Sequence, residues 1–477
     1  MDQLIGRKAE IQVLRDALAS GEAEMVSVIG RRRVGKTFLV KSVCAGHIGF
    51  AITGVQGAPL QEQLSNFHYQ LQEHSNTEYK KPGNWMEAFQ QLIQALKPLV
   101  EKVGPKPVVF LDELPWLASR RSGFLRGLSF FWNSWAADQR IVVVVCGSAA
   151  SWMIRKVVHH TGGLHNRITR RIFLAPFSLS ETADYLSSRG VGLDHYQTTQ
   201  IYMALGGIPH YLKEVKQGKS AAQNIDEICF SDQGLLRDEF QKLYPALFTN
   251  AEHHIAIIRA LGKKWKGLTR KQIAASSSVP KGGTLKRVLE ELEQSGFITA
   301  YRPFGKAKKG QLYRLTDEYS LFYLQFMQQK RLSGEGAWHR LSQTAAFKSW
   351  SGYAFENICL KHIREIKHAL GVAGVYTEAS TYYHQGEGEK RGVQIDLLID
   401  RNDHVINLFE IKFYNAPFTL TKAEAKALRK KVALFQSYTQ TKKQVFLSLI
   451  TTFGLLPNAH SLGLVQQELT LEDLFNS

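Results

Sequence analysis

The chain has little cysteine, and its four cysteines lie far apart at Cys44, Cys146, Cys229 and Cys359. They form no C-x-x-C pair, which argues against a zinc site or a disulfide framework and fits a reducing cytoplasm. Long apolar runs are lacking too, since none approaches the ~18 uninterrupted apolar residues of a membrane span. The opening residues, MDQLIGRKAE, contain no apolar core of a signal peptide. We therefore expect a cytoplasmic protein with no membrane partner.

Acidic residues are also relatively scarce. The 477 residues include 42 Asp and Glu against 60 Lys and Arg, which gives a net charge of +18. A strongly basic chain usually meets a polyanion, and DNA is the first candidate. The alternative is a generally basic surface with no dedicated partner. The length suggests three or four domains at roughly 100 to 200 residues each.

The stretch Met25–Thr37, MVSVIGRRRVGKT, contains the pattern G-x-x-x-x-G-K-T between a β-branched run and a helical pattern. This is the strand–loop–helix context that a P-loop requires. Its backbone N–H groups and the helix N-terminus favour phosphate oxygens. We expect Lys36 to reach the β- and γ-phosphates of ATP and Thr37 to hold Mg²⁺. The predicted nucleotide-binding residues of the loop are Gly30, Arg31, Arg32, Arg33, Val34, Gly35, Lys36, Thr37 and Phe38.

A second apolar run, VVFLDELPWL from Val108 to Leu117, ends in two carboxylates. The second acidic motif of a P-loop enzyme occupies this position at the end of a buried strand. Asp112 is predicted to hold Mg²⁺ through water, and Glu113 to polarise the water that attacks the γ-phosphate. The alternative is a strand end with two solvated acids.

Further candidate nucleotide contacts carry weaker signals. Ser148 follows the buried run IVVVVCG and either senses the γ-phosphate or caps the next helix. Arg7, in Leu-Ile-Gly-Arg before a helical pattern, either lines an adenine pocket or marks an ordinary helix start. A basic cluster either reaches a γ-phosphate in a neighbouring subunit or has a structural or DNA-facing role: Arg167, Arg170 and Arg171.

The alternation of helical and β-branched segments predicts a parallel sheet covered on both faces. From Leu179 to about Phe248 only helical patterns occur. Residues 1 to 245 resemble archaeal-type ATPases of the AAA+/STAND lineage, on six motifs in family order: Ile5-Gly6-Arg7, the P-loop, Leu111-Asp112-Glu113, Cys146-Gly147-Ser148, Ala175-Pro176-Phe177-Ser178 and Gly206-Gly207-Ile208-Pro209. The resemblance implies an ATP-dependent switch or motor with a helical lid, and it allows a homo-oligomer. No single clear arginine finger is found.

Residues 251 to 317 show three helical patterns followed by two strand patterns, which is typical of a winged helix. Basic residues lie before and on the third helix and in the wing, where they suit phosphate contacts: Lys281, Lys286, Arg287, Lys306, Lys308 and Lys309. The alternative is a wing that serves only as an intramolecular lid or protein contact.

The C-terminal segment places four ionisable residues unusually. Asp396 lies inside a predicted strand, and Glu410 and Lys412 share one face of the next strand. Glu356 lies on the preceding helix. Buried acids require pairing or a metal, so Asp396 and Glu410 are candidate Mg²⁺ ligands, with Lys412 as the residue that orients and helps deprotonate the attacking water. An exposed strand face explains the same pattern without a site.

The predicted order of this segment is helix (347–370), three strands (375–383, 393–399, 405–413), helix (423–438) and strand (445–451). Residues 345 to 455 resemble the PD-(D/E)xK nuclease superfamily, which shares this order. The resemblance implies metal ligands at Glu356, Asp396 and Glu410 and a catalytic Lys412. A nuclease fold that only binds nucleic acid or protein is the alternative.

The fold class predicted is α/β, with a P-loop AAA+-type parallel sheet, a helical lid, a winged helix and a restriction-endonuclease-like domain. The predicted boundaries are an ATPase core (1–178), a lid (179–248), a winged helix (249–320), a connector (321–343) and a nuclease-like domain (344–477). The function expected is ATP-controlled DNA binding and Mg²⁺-dependent cleavage. The alternatives are a regulatory ATPase whose C-terminal half only binds, and a transcription regulator.

Overall fold

The computed structural model describes residues 4–119, 121–158, 166–306, 310–328, 334, 336–386 and 392–476. The chain forms two compact units, Met1–Pro176 and Phe177–Ser477. Two predicted wing lysines, Lys308 and Lys309, lie outside the described residues. No helix among the described segments is long and apolar enough to cross a membrane.

The first unit is built on a five-stranded, all-parallel sheet, as predicted, in the order β2-β3-β4-β1-β5. Its strands are β1 (Glu24–Ile29), β2 (Ile48–Thr53), β3 (Val108–Asp112), β4 (Val142–Gly147) and β5 (Arg170–Phe173). Its helices are α1 (Lys8–Ala19), α2 (Lys36–Val43), α3 (Leu60–Ser75), α4 (Trp85–Glu101), α5 (Leu114–Leu117), α6 (Phe124–Ser134) and α7 (Ala150–Met153).

The strands β1, β3 and β4 lie at the β-branched runs that predict them, and every residue of each is buried. Such continuous burial is what a parallel sheet with helices on its faces produces. The strands β2 and β5 were not predicted. The β5 segment reads as a basic cluster because exposed residues alternate with buried ones along it, as at Arg171 and Ile172.

The second unit begins with helices only, as predicted for the lid segment: α8 (Leu179–Ser188), α9 (His195–Leu205), α10 (Pro209–Leu212), α11 (Ala221–Ile225) and α12 (Glu239–Leu243). The segment Gly206-Gly207-Ile208-Pro209 after α9 packs closely against the backbone of a neighbouring segment. A Cβ on Gly207 would lie 2.0 Å from the carbonyl oxygen of Phe177, so no side chain fits where the two backbones meet.

Three helices and a small antiparallel sheet in the order β6-β8-β7 follow. They are α13 (Ala251–Gly262), β6 (Leu268–Thr269), α14 (Arg270–Ser276), α15 (Gly283–Gln294), β7 (Ile298–Tyr301) and β8 (Leu312–Leu315). The helices and the two longer strands lie at the predicted positions. Two short helices connect this part to the C-terminal segment: α16 (Glu318–Phe322) and α17 (Ala337–Leu341).

The C-terminal segment contains a mixed five-stranded sheet in the order β15-β13-β11-β10-β9 and a separate pair, β12 and β14. The elements are α18 (Ala345–Lys361), α19 (Ile363–Ala369), β9 (Thr377–His384), β10 (Val393–Arg401), β11 (Val405–Lys412), β12 (Phe418–Thr419), α20 (Lys422–Thr439), β13 (Gln444–Thr451), β14 (Leu455–Leu456) and β15 (Gln467–Thr470).

Two details of this segment correct the sequence prediction. The single helix predicted over 347–370 is two helices, because the backbone of His362 leaves the helical region at φ −107° and ψ 36°. The edge strand β15 was not predicted. Strands β10 and β11 pair antiparallel, so Asp396 and Glu410 lie on neighbouring strands.

Candidate functional sites

The P-loop connects the buried strand β1 to the helix α2, as its sequence pattern requires. Gly30 has no room for a side chain, because a Cβ there would lie 2.4 Å from the carbonyl oxygen of Leu174. Gly35 adopts φ +92° directly before the helix, a conformation that favours glycine. The glycines therefore set both the entry to and the exit from the loop.

Lys36 is almost fully buried at the start of α2. Its Nζ donates a hydrogen bond to the carbonyl oxygen of Arg31 at 2.9 Å, so the ammonium group is held inside the loop. A buried ammonium needs an acceptor, and a phosphate oxygen entering the loop is a stronger one than a neutral carbonyl. In the structure this ammonium group is therefore held by a backbone carbonyl of the loop.

Thr37 and Asp112 are brought together from distant parts of the sequence. The Thr37 hydroxyl donates to Oδ2 of Asp112 at 2.7 Å, and the Asp112 side chain is buried at the carboxyl end of β3. A hydroxyl and a carboxylate in contact at the end of a P-loop are the oxygen donors that a nucleotide-bound Mg²⁺ uses. The two predicted magnesium residues of this unit therefore share one place.

Glu113 and Ser148 also meet, at the ends of the neighbouring strands β3 and β4. Oε2 of Glu113 accepts hydrogen bonds from the Ser148 hydroxyl at 2.8 Å and from the Ser148 amide at 3.1 Å. The cap alternative for Ser148 is wrong, because Ala149 is the N-cap of α7 and no side chain caps this helix. Ser148 instead holds the predicted water-polarising carboxylate.

The arginines differ in their surroundings. Arg7 is buried and adopts φ +59° at the N-cap of α1. Arg170 lies on β5, where its Nη2 is 3.0 Å from Oε1 of Glu24. Arg167 and Arg171 are exposed. The ion pair gives Arg170 a structural role within its own unit, whereas the other two arginines of the cluster are exposed.

The second candidate site is in the C-terminal segment, where β11 carries Glu410 and Lys412 on one face. Lys412 Nζ lies 2.9 Å from Oε1 of Glu410. Sequence reasoning missed Lys431 of α20, whose Nζ lies 2.5 Å from Oε2 of the same carboxylate. Burial would raise the pKa of Glu410, but Lys431 and Lys412 hold it below its usual value. Glu410 is therefore an ionised carboxylate with two lysine partners.

Asp396 lies beside this pair on β10. The register of β10 against β9 shifts between Ile395 and Leu398, an irregularity that turns side chains out of the regular alternation. Burial, followed by the charges of Glu356 and Glu410, raises the pKa of Asp396 to about 7. Asp396 is therefore a buried carboxyl that is influenced by the charges of both neighbouring glutamates.

Glu356 of α18 has a partner from outside its own segment. Nη2 of Arg314 on β8 lies 3.1 Å from Oε2 of Glu356, and Arg314 Nε donates to the Tyr353 hydroxyl at 2.9 Å. Burial raises the pKa of Glu356 although Arg314 opposes this effect. Among the side chains that the structure describes, no three His, Cys, Asp or Glu are grouped closely enough to hold a metal ion. Glu356 is instead paired with Arg314.

A large cavity of about 1840 Å³ opens over these residues, entirely within the second unit. Asp396, Glu410 and Lys412 line it together with residues of the connection between α13 and β6. The candidate site is therefore accessible from a chamber that is large compared with a single side chain or water.

A parallel sheet with a P-loop after β1 and an acidic pair after β3 defines a P-loop ATPase fold. Residues 4–215 match the family model described as an ATPase domain predominantly from Archaea. The chain is 22% identical over 418 residues to the uncharacterized protein MJECL04 of Methanocaldococcus jannaschii, with 86% of this chain and 87% of that protein aligned.

Two solved structures give the scale of the structural likeness. The Walker-type ATPase PABY2304 of Pyrococcus abyssi aligns with a TM-score of 0.49 and 15% identity, over 67% of this chain and 96% of that one. The ORC2 protein of Aeropyrum pernix, in ADPNP–ADP complexes, aligns with a TM-score of 0.40 and 17% identity, over 68% of this chain and 93% of that one.

Proposed function

We propose that the protein hydrolyses ATP in its first unit and binds and cleaves DNA with a Mg²⁺-dependent nuclease site in its second, under nucleotide control. The observation that carries the nuclease proposal is the meeting of Asp396, Glu410 and Lys412 on two neighbouring strands in one cavity. Placing three charged side chains in a partly buried position is unfavourable through desolvation unless they pair or bind a ligand.

In the ATPase half, the loop from Gly30 to Phe38 would wrap the phosphates, with Lys36 on the β- and γ-phosphates. Thr37 and Asp112 would hold Mg²⁺, and Glu113 would polarise the attacking water. The contacts of Lys36 with a loop carbonyl and of Thr37 with Asp112 support this assignment, because they hold the ammonium group inside the loop and the hydroxyl beside the carboxylate at the end of β3.

In the nuclease half, carboxylate oxygens are the donors that Mg²⁺ prefers, and a divalent cation would offset the burial and the neighbouring negative charges that raise the pKa of Asp396. Mg²⁺ when bound would stabilise negative charge on the phosphate. Glu410 raises the pKa of Lys412 although burial acts in the opposite direction, so Lys412 keeps its proton. Its proposed role is accordingly to orient the phosphate and the attacking water. Glu356 would bind the metal together with Asp396 and Glu410 only after its ion pair with Arg314 is broken.

The three helices and hairpin of residues 249–320 are proposed to act as a winged helix that contacts the DNA backbone. Lys286 and Arg287 on α15 and Lys281 before it are exposed, which suits phosphate contacts. The boundaries proposed for the remaining parts are those of the sequence prediction: core 1–178, lid 179–248, connector 321–343 and nuclease-like domain 344–477.

The test is cleavage of plasmid and single-stranded DNA with Mg²⁺ or Mn²⁺, with and without ATP. Wild type is expected to cut, Lys412→Ala to lose cutting, and Lys426→Ala to retain it, since Lys426 is an exposed lysine on α20 outside the cavity. A dependence of cutting on ATP would show that the two activities are coupled. Intact DNA under every condition, with ATP turnover preserved, would refute the nuclease proposal.

One observation favours a second candidate, a regulatory ATPase whose C-terminal segment only binds. All the hydrogen-bonding capacity of Glu410 seen here is directed to Lys412 and Lys431, and Glu356 is paired with Arg314. A site whose acids are neutralised by protein cations is also a stable ion-pair network. This candidate predicts nucleotide-dependent association with DNA or protein and no cleavage with any metal.

A further inference from the structure

The cavity of the second unit has a volume of about 1840 Å³ and is open to solvent. A space of this size admits one unpaired strand of nucleic acid. The chemistry of its lining indicates which nucleic acid it suits.

The lining of the cavity is strongly basic. Eight lysine or arginine side chains and three carboxylates line it among the described residues. One wall carries Lys263, Lys264 and Lys266, all exposed, in the connection between α13 and β6, and α20 contributes Lys430 and Lys431. Closely spaced lysines in a groove bind the phosphate backbone of a single strand without regard to sequence.

Aromatic side chains lie among these lysines. Trp265, between Lys264 and Lys266, stacks on Tyr353 with ring centres 5.1 Å apart and planes 14° apart. Tyr383 is exposed on the edge strand β9, and Lys266 Nζ lies 5.7 Å from its ring centre. All five of these residues line the cavity. Aromatic faces next to backbone-binding lysines are the two parts of a platform on which unpaired bases stack.

We propose that this cavity takes an unpaired strand of DNA, with the lysines beside Trp265 on its backbone and Trp265 stacked on a base, and that the strand leads to Asp396, Glu410 and Lys412. The inference rests on the proposed nuclease function and specifies its substrate class: single strands, or unpaired ends and flaps, rather than intact duplex. The winged helix contacts proposed above concern a different surface, on α15.

The test is a binding titration of the full chain, in EDTA so that no cutting occurs, against a labelled 20-nucleotide single strand and a blunt duplex of the same sequence. We expect the single strand to bind at least tenfold more tightly. Trp265→Leu should weaken single-strand binding about tenfold, as loss of one stacked base does, and leave duplex binding unchanged. Tyr376→Ala, an exposed tyrosine outside the cavity, should leave both unchanged.

The salt dependence gives a second readout that does not involve the aromatic core of the site. Removing three phosphate contacts from a single strand lowers the slope of log affinity against log salt concentration by about 2. The triple variant Lys263→Ala/Lys264→Ala/Lys266→Ala should show this decrease, because all three side chains are on the surface and their loss leaves packing intact.

Equal or tighter binding of the duplex overturns the inference, as does wild-type single-strand affinity in both the Trp265 and the triple lysine variants. Different outcomes refute the nuclease proposal and the single-strand proposal. Metal-dependent cutting of duplex plasmid with no preference for single strands would leave the nuclease function standing and remove this substrate class. Selective single-strand binding without cutting in Mg²⁺ or Mn²⁺ would remove the nuclease and leave a single-strand binding site.

Discussion

Ser148 donates both its backbone amide and its hydroxyl to the same oxygen of Glu113, at 3.1 and 2.8 Å. A carboxylate held by two donors has one preferred orientation. We expect Ser148→Ala to lower kcat for ATP hydrolysis about tenfold with little change in KM, since a hydrogen bond to a charged group contributes roughly 1.5 to 3 kcal/mol. Ser148→Thr, which keeps the hydroxyl, serves as the control and should retain most activity. Unchanged turnover in Ser148→Ala would show that the amide alone positions Glu113.

Substitutions of Lys36 and of Glu113 in the proposed ATP site should have different effects on activity. Lys36→Ala removes the phosphate contact and should abolish measurable ATP binding, whereas Glu113→Gln keeps the shape of the side chain and removes its charge. The second variant should bind ATP normally and hydrolyse it at least a hundredfold more slowly, the usual size of a lost general-base contribution. Fluorescent-nucleotide titration and phosphate release separate these effects. Normal turnover in Glu113→Gln would refute its role.

The ion pair of Arg314 and Glu356 joins β8 to α18 inside the second unit. Arg314→Met leaves Glu356 with its charge and without its cation, so we expect the free energy of unfolding to fall by about 3 to 5 kcal/mol. Adding Glu356→Gln should restore most of this loss, because the remaining carboxamide carries no charge. Denaturant unfolding of the wild type and the single and double variants measures the coupling. Equal stability of the single and double variants would show that the charge of Glu356 is solvated.

His362 makes the second unit sensitive to acid. It is buried, its Nε2 accepts a hydrogen bond from the Leu179 amide at 3.1 Å, and its Nδ1 lies 2.8 Å from the carbonyl oxygen of Ile358. Burial lowers the pKa of His362 below the usual 6.5, so the folded state binds its proton more weakly than the unfolded state does. The stability from neutral His362 is therefore complete above pH 6.5 and falls as pH decreases, by up to about 1.4 kcal/mol per pH unit.

Thermal unfolding at pH 7.5 and 5.5 tests this prediction. The wild type should lose about 2 °C more between the two values than His362→Gln, which keeps a donor and an acceptor and does not titrate. His368→Gln, an exposed histidine of α19, should behave as the wild type. The same pH response in wild type and His362→Gln would assign the titration to another group.

Much of the framework was available from sequence because it depends on local pattern. The run before Gly30 is apolar and β-branched, which predicts a buried strand. The spacing of the glycines and the lysine after it predicts the loop. The strands β10 and β11 were likewise placed by alternation. By contrast, β5 contains Arg170 and Arg171 and is only partly buried, so its local pattern did not indicate a strand. Its pairing with β1 is a long-range contact.

The role of a polar side chain was harder to predict than its position. Ser148 at the end of β4 fits a helix cap or a phosphate sensor equally well by sequence, and only the parallel pairing of β3 with β4 puts it on Glu113. Lys431 sits on an ordinary amphipathic helix with nothing in its neighbourhood to distinguish it from Lys430. Its contact with Glu410 arises because α20 packs back on the sheet.

The sequence by itself determined most of the elements, the P-loop, and the four charged residues of the C-terminal site, because strand burial, helix periodicity and motif spacing are properties of neighbouring residues. Only the tertiary structure decided which partners those charges have. Arg314 reaches Glu356 across 42 positions and Lys431 reaches Glu410 across 21. A buried charge takes the nearest available counter-charge, and which one is nearest depends on how helices and sheets pack, a relation that no local pattern encodes.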